Sequence, residues 1–443
     1  MRRLDTAAFR AETRDARRFA EPQLDLAARE RLRELFGRDL TADEAVREIV
    51  GDVRARGDDA LREWTLRIDG VDVGQLHADP ATFRPAWDEL SAELRDALTL
   101  ARERILDFHR MQGGAVARGR ADLQLRPIPV GRAGCYVPGG RAAYPSTVLM
   151  NVIPAQVAGV GSIVVATPPG PNGGAHPAVL AAAHLLGVDE VVVAGGAQAI
   201  TALAYGTRTI RAVDVIVGPG NLFVTLAKRA VLGAVGIDGL AGPSEILVIA
   251  SGDADPAWVA ADLVSQLEHD PLAWAVCLTD SEEFASAVES ELGAQAAAAK
   301  RAGIVEEAAG RHGIVVVCGG LDEAVAIANE FAPEHLELVG SRAEALVDAI
   351  IAAGAVFVGG MTPVPMGDYI AGPNHTLPTG GAARFRGPLS VMDFVRWTSI
   401  TRLTADEMRR LGPAVRVLAE AEGLHAHTAS VQLRLDALDR DSG

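Results

Sequence analysis

GSIVVATPPGPNGGAHPAVLAAAHLLGVDEVVVAGGAQAITALAYGTRTIRAVDVIVGPGNLFVTLAKRA, residues 161–230, decides the class of fold. Three short runs in it, Ser162–Ala166, Glu190–Ala194 and Asp214–Val217, are apolar nearly throughout and read as strands buried on both faces. Ala- and Leu-rich stretches of helical length follow them, at Pro177–Leu186, Ala197–Ala204 and Asn221–Leu232. Strands without a polar face, alternating with helices, predict a parallel sheet covered by helices.

The same texture resumes after Gly242. Ile246–Ala250, Ala273–Thr279, Ile314–Val317 and Ala355–Val358 read as strands, with helices around Pro256–Glu268, Glu282–Glu291 and Asp322–Glu330. Two similar α/β blocks therefore lie side by side, the pattern expected of two related domains. A chain of 443 residues also exceeds the roughly 250–300 that one core sustains. The outer segments are different. Thr41-Ala-Asp-Glu44 is a capping box, a long amphipathic stretch runs from about Pro85 to Met111, and Thr404-Ala-Asp-Glu407 opens a helical pattern reaching about Leu438. Thr362–Pro388 is rich in Pro and Gly and reads as a long loop, of the kind that is usually functional. The expected organisation is a helical N-terminal arm with part of the catalytic body (residues 1–125), two α/β domains (126–241 and 242–380) and a C-terminal helical segment (381–443).

Composition narrows the function. The net charge is −16, from 42 basic and 58 acidic residues, which argues against nucleic acid as the main partner because phosphate binding needs clustered Lys and Arg. Cys135, Cys277 and Cys318 are odd in number and far apart, which fits a reducing compartment and supplies no thiolate metal site. Cys135 lies in a Gly-rich segment but reads as a small buried apolar residue. Met1–Asp15 lacks the apolar core of a signal peptide, and no apolar run is long enough to span a bilayer. The expectation is a cytoplasmic protein with no membrane partner.

Three Gly-rich turns follow strand-like segments: Cys135-Tyr-Val-Pro-Gly-Gly140, Gly195-Gly196-Ala-Gln198 and Gly218-Pro-Gly220. The last stands between a strand and a helix, where backbone amides meet a phosphate, although Phe223 replaces the third glycine of the dinucleotide fingerprint. One such turn is an ordinary tight connection. Three at strand ends point to a ligand crevice along a sheet edge, which makes the blocks Rossmann-like. Gln266 and His269, three apart on a helix, share a face. Asp368, His375, Glu422, His425 and His427 fall in short polar motifs, and nitrogen and oxygen donors spread over several elements suit a catalytic zinc, or manganese. Spacing alone selects no ligand set among them. Glu334–His335 pairs a carboxylate with an imidazole, a combination able to serve two proton transfers. Read locally, Pro333-Glu334 equally starts a turn or caps a helix.

Together these motifs resemble the histidinol dehydrogenase family. The resemblance runs from about Arg126 to Leu435 and rests on GCYVPGG (134–140), STVLMNVIPAQVAGV (146–160), GGAQAI (195–200), VGPGN (217–221), AGPSEI (241–246), ADLVSQLEHD (261–270), APEHLEL (332–338), GDYIAGPNHTLPT (367–379) and EGLHAH (422–427). It implies oxidation of L-histidinol to L-histidinaldehyde and on to L-histidine with two NAD⁺. It implies one zinc per subunit, held by Gln266, His269, Asp368 and His427. His335 would take the alcohol proton and Glu334 would activate water on the aldehyde. Ser244, His375 and Glu422 would line the substrate pocket together with the zinc ligands and His335, while Tyr136, Gln198 and Asn221 would contact NAD. It further implies a homodimer in which Glu422 and His427 complete the partner's site. A related zinc- and NAD-dependent enzyme acting on another polar alcohol would carry the same apparatus. A zinc hydrolase would use Glu334 without NAD, and a non-catalytic metal-binding protein would not need the Glu334–His335 pair.

Overall fold

The computed structural model describes residues 1–16, 24, 26–113, 118–119, 121–139 and 143–440. It divides into two compact units: Met1–Gly114 with Pro129–Phe394, and Ala115–Ile128 with Val395–Gly443.

The first unit holds two parallel sheets. One runs Val191–Val193, Ser162–Thr167, Arg132–Tyr136, Val215–Val217, Gly236–Ile237 across its width. The other runs Gly313–Val317, Trp274–Thr279, Glu245–Ala250, His335–Val339, Ala355–Val358. Numbered along the chain within each block, both orders are 3-2-1-4-5, so the two α/β halves share one doubly wound topology. Each half reverses direction beside its first strand, the switch point at which doubly wound sheets open a crevice. The strands lie between apolar helical faces. Ile246, Val248, Cys277 and Val315 pack on one side of the second sheet with Val259, Leu263 and Val288. Leu247, Ile249, Val276 and Leu336 pack on the other with Phe331 and Ile327. Full burial of such side chains stabilises by about 1.5–3 kcal/mol each.

The helices begin where the side chains allow. Thr41 and Glu44, and Thr404 and Glu407, form reciprocal capping boxes, and Asn221 caps Leu222–Val231 by accepting from Val224 N–H. The amphipathic stretch near Pro85 is two helices, Phe83–Asp88 and Ala92–Met111, the second capped by Ser91.

Elsewhere the chain adds what periodicity did not signal. Arg2–Leu4 is a parallel strand on the outer edge of the second sheet, paired with Ile314–Val316; three residues are too few for a pattern. The Pro/Gly-rich segment contains a helix, Val364–Tyr369, with Pro365 at the start where its missing N–H costs nothing. Pro333-Glu334 leads into a strand, His335–Val339, and caps no helix. In the second unit Arg118–Gly119 pairs antiparallel with Leu123–Pro129, which lies beside Val395–Thr401, and the helices Ala405–Ala421 and His425–Arg440 pack together through Gly412, Val431 and Leu435. Among the described residues no helix is long and apolar enough to cross a membrane.

Candidate active site

On the first sheet the Gly-rich turns share the carboxyl-terminal edge. Gly139 and Gly195 flank Pro168 at the end of the intervening strand. Gly218, at φ 113°, abuts the carbonyl of Tyr136, where any Cβ would collide with it. Gly218 N–H donates to Asp238 at 2.6 Å, and the buried Lys228 ammonium bridges Gly218 O and Asp238. The turn is thus tied through Lys228 to the helix Leu222–Val231 and to Asp238. Tyr136 is buried, its hydroxyl accepting from Gly196 N–H at 3.1 Å, and burial pushes its pKa up to about 12. Gln198 is wholly buried, yet neither atom of its amide has a partner among the described residues. A buried amide left unpaired costs about 1–3 kcal/mol, and here it lies beside a phosphate-type turn. These residues fit a dinucleotide. Asn221 is exposed at the adjoining helix start. Gly140, the last residue of the third turn, lies outside the described residues.

The second sheet presents its chemistry at the opposite edge. The helix Pro256–Leu267 follows the strand Glu245–Ala250 and runs back, returning Gln266 and His269 to the level of Ser244 and Glu245. The adjacent strand, His335–Val339, begins there too. At the sheet's carboxyl edge the exposed Asp253 carboxylate accepts from Ser251 Oγ and from Ser341 N–H and Oγ.

Glu245 organises the pair that the sequence singled out. Its N–H donates to Glu334 Oε2 at 2.8 Å, and its carboxylate accepts from Glu334 N–H at 3.3 Å and Gly380 N–H at 3.0 Å. Its carbonyl lies 3.0 Å from His335 Nδ1, which places the proton on Nδ1 and leaves Nε2 facing Asp368 at 3.5 Å with no hydrogen-bond partner. Glu334 and His335 are 7% and 5% exposed. Burial raises the Glu334 pKa to about 7, against the pull of His335 and with the nearby charge of Glu245 adding to it. Burial opposes a charged His335, but Glu334 and Asp368 outweigh it and raise the imidazole. Just upstream, Ala332 is the sole described non-glycine residue at positive φ (51°), and it precedes a proline. Strain of this sort, about 1–3 kcal/mol, is commonly held where function needs it.

Around the pair, Gln266 is 1% exposed and its Nε2 lacks an acceptor. His269 keeps an edge to solvent, while desolvation of the ring lowers its pKa and the charge of Asp368 opposes this. His375 bonds through Nδ1 to Asp368 O at 2.8 Å and through Nε2 to Thr147 at 3.2 Å. Its neighbour Thr376 donates to Asn151, whose amide in turn donates to Tyr136 O. Asn151 therefore links the loop beside Asp368 to the strand end at Tyr136, a role that sequence alone did not flag. Unpaired atoms on Gln266 and His335 next to a carboxylate and an open imidazole are a donor set that suits a divalent cation with nitrogen and oxygen ligands. Among the described residues no three His, Cys, Asp or Glu side chains close around one point; one expected ligand is a glutamine. Glu422 and His427 belong to the second unit, exposed where the helix Ala405–Ala421 turns into His425–Arg440. The other expected residues, from Tyr136 to His375, lie in the first unit.

Comparison with known proteins matches this arrangement. The family model described as histidinol dehydrogenase covers residues 37–435. Histidinol dehydrogenase of Synechococcus sp. is 51% identical over 89% of this chain and 93% of its own length. That of Natronomonas pharaonis is 49% identical over 91% and 96%. The crystal structure of histidinol dehydrogenase from Elizabethkingia anophelis, 33% identical, superposes over 97% of this chain and 96% of its own with a TM-score of 0.86. With two doubly wound halves and a buried Glu–His pair at the edge of one of them, this chain is a member of the histidinol dehydrogenase family.

Proposed function

We propose that this oxidoreductase converts L-histidinol to L-histidine through L-histidinaldehyde, passing one hydride to each of two NAD⁺ in a single site. The observation that carries the reading is the buried pair Glu334–His335, locked to Glu245 by hydrogen bonds that leave one edge of each catalytic group free. Zinc, which Gln266, His269, Asp368 and His427 would hold, would serve mainly to orient the substrate.

The residues of the chain supply the proton transfers. His335, whose Nε2 has no hydrogen-bond partner among the described residues, accepts the alcohol proton at that atom as hydride leaves the carbinol carbon. Glu334, whose raised pKa suits a base near neutrality, takes a proton from the water that adds to the aldehyde. The hydrate loses a proton and a second hydride. The sum is alcohol, water and two NAD⁺ giving carboxylate, two NADH and three protons. Ser244, His375 and Glu422 would bind the substrate, Glu422 facing its ammonium group. Tyr136, Gln198 and Asn221 would hold NAD. The test is NADH formed per L-histidinol consumed, before and after metal removal. Two NADH per substrate, lost with the metal and restored by zinc, is the expected result. No NADH from folded, zinc-loaded protein would overturn the assignment of substrate.

A further inference from the structure

Glu337 has no part in these steps, yet it joins the elements that carry them. It lies two residues beyond His335 on the strand His335–Val339, on the same face, and is 1% exposed. Its Oε1 accepts at 3.0 Å from the N–H of Val364, the first residue of the helix that bears Asp368. Its Oε2 is buried and meets no donor among the described residues. What lies against it is another acid, Asp262, close enough for the two side chains to act directly on each other, with no donor between them while both are ionised. Asp262 stands on the helix Pro256–Leu267 one turn before Gln266 and on the same face.

Two carboxylates in contact in a buried place repel, and an acceptor left bare there costs about 1–3 kcal/mol. One proton between them removes both penalties. We propose that Asp262 and Glu337 share a proton, and that this neutral carboxyl pair is a positioning device clamping the Gln266 helix and the Asp368 helix onto the strand of His335. Burial raises both acids, and each is affected by the other; His335 is the other titratable group acting on Glu337. The clamp rests on the proposed function only in making Gln266 and Asp368 the residues whose placement matters.

The test uses the full-length protein with Glu337→Gln, Glu337→Leu and Asp262→Ala. Amide exchange over Val364–Tyr369 and Pro256–Leu267 is followed by mass spectrometry, and zinc retention after gel filtration is measured alongside. Glutamine mimics a neutral acid that both accepts from Val364 and donates to Asp262, so its exchange should stay within about twofold of the unmodified protein. Leucine leaves Val364 N–H unpaired, and exchange there should quicken about tenfold or more, with zinc lost more readily. Should leucine prevent folding, Asp262→Ala, at a half-buried position, unties the pair from the other side, and exchange over the helix Pro256–Leu267 should quicken instead, again with zinc lost more readily. A glutamine variant as loose as the leucine one would overturn the shared proton. Unchanged exchange in a folded leucine or alanine variant would overturn the clamp. Failure of the unmodified protein to bind zinc or oxidise histidinol would sink the functional reading, while the exchange comparison would still decide the clamp.

Discussion

Glu245 touches Glu334 and His335 with its amide, its carbonyl and its carboxylate. Two backbone N–H groups converge on the carboxylate, those of Glu334 and Gly380. An amide presents one oxygen and one NH₂, so Glu245→Gln sets a donor against a donor. We expect this variant to lose about ten- to hundredfold in turnover while staying folded. Its pH profile should move as well. Burial first, and then the charge of Glu245 among other causes, raises the Glu334 pKa. A general base works when deprotonated, so activity falls as pH drops through that pKa. Removing the Glu245 charge lowers the pKa, and the acid limb should shift to lower pH. An acid limb that stays in place would mean that the charge of Glu245 does not reach the working group. The sequence marked Glu334 and His335 because an acid beside an imidazole is a recognisable combination. It gave no reason to prefer Glu245 or Glu337 to any other glutamate, since their importance lies in burial and in partners far along the chain.

At the scale of the element, the turn Gly218–Gly220 is where backbone geometry meets function. Gly218 stands at φ 113° against the carbonyl of Tyr136, so Gly218→Ala combines a strained backbone with a collision. The turn must open, which would disturb the proposed NAD site beside it. The expected result is a KM for NAD⁺ raised about tenfold or more, with a smaller change in kcat and in the KM for histidinol. A uniform fall in kcat with KM for NAD⁺ untouched would place the dinucleotide elsewhere. This turn was legible because its strand, glycines and helix are consecutive, as were both capping boxes. The helix Val364–Tyr369 was not legible, because six residues among prolines and glycines carry too little periodicity.

For the whole molecule, the second unit is the part least able to stand alone. The helix His425–Arg440 has no buried residue, and Val417, Leu418 and Leu433 are 67%, 64% and 68% exposed. So much apolar surface on one small unit favours association, in keeping with the proposed homodimer. If Glu422 and His427 serve the partner's site, mixing Glu334→Gln and His427→Asn subunits should restore activity, up to about a quarter of that of the unmodified dimer if subunits assort at random, because one heterodimer site in two is intact. Confirmed exchange of subunits without recovery would show that each chain builds its own site. The sequence by itself determined the α/β class, the pairing of two similar blocks, the caps and the Gly-rich turns, because these are written in neighbouring residues through periodicity and backbone preference. Only the tertiary structure decided the 3-2-1-4-5 order of both sheets, the edge strand Arg2–Leu4 and the meeting of Glu245 with Glu334 across 89 residues. It alone brought Glu334 and His335 to the amino-terminal edge of the second sheet, where the returning helix delivers Gln266 and His269. Those outcomes depend on which surfaces bury one another, and no local stretch of the chain encodes that.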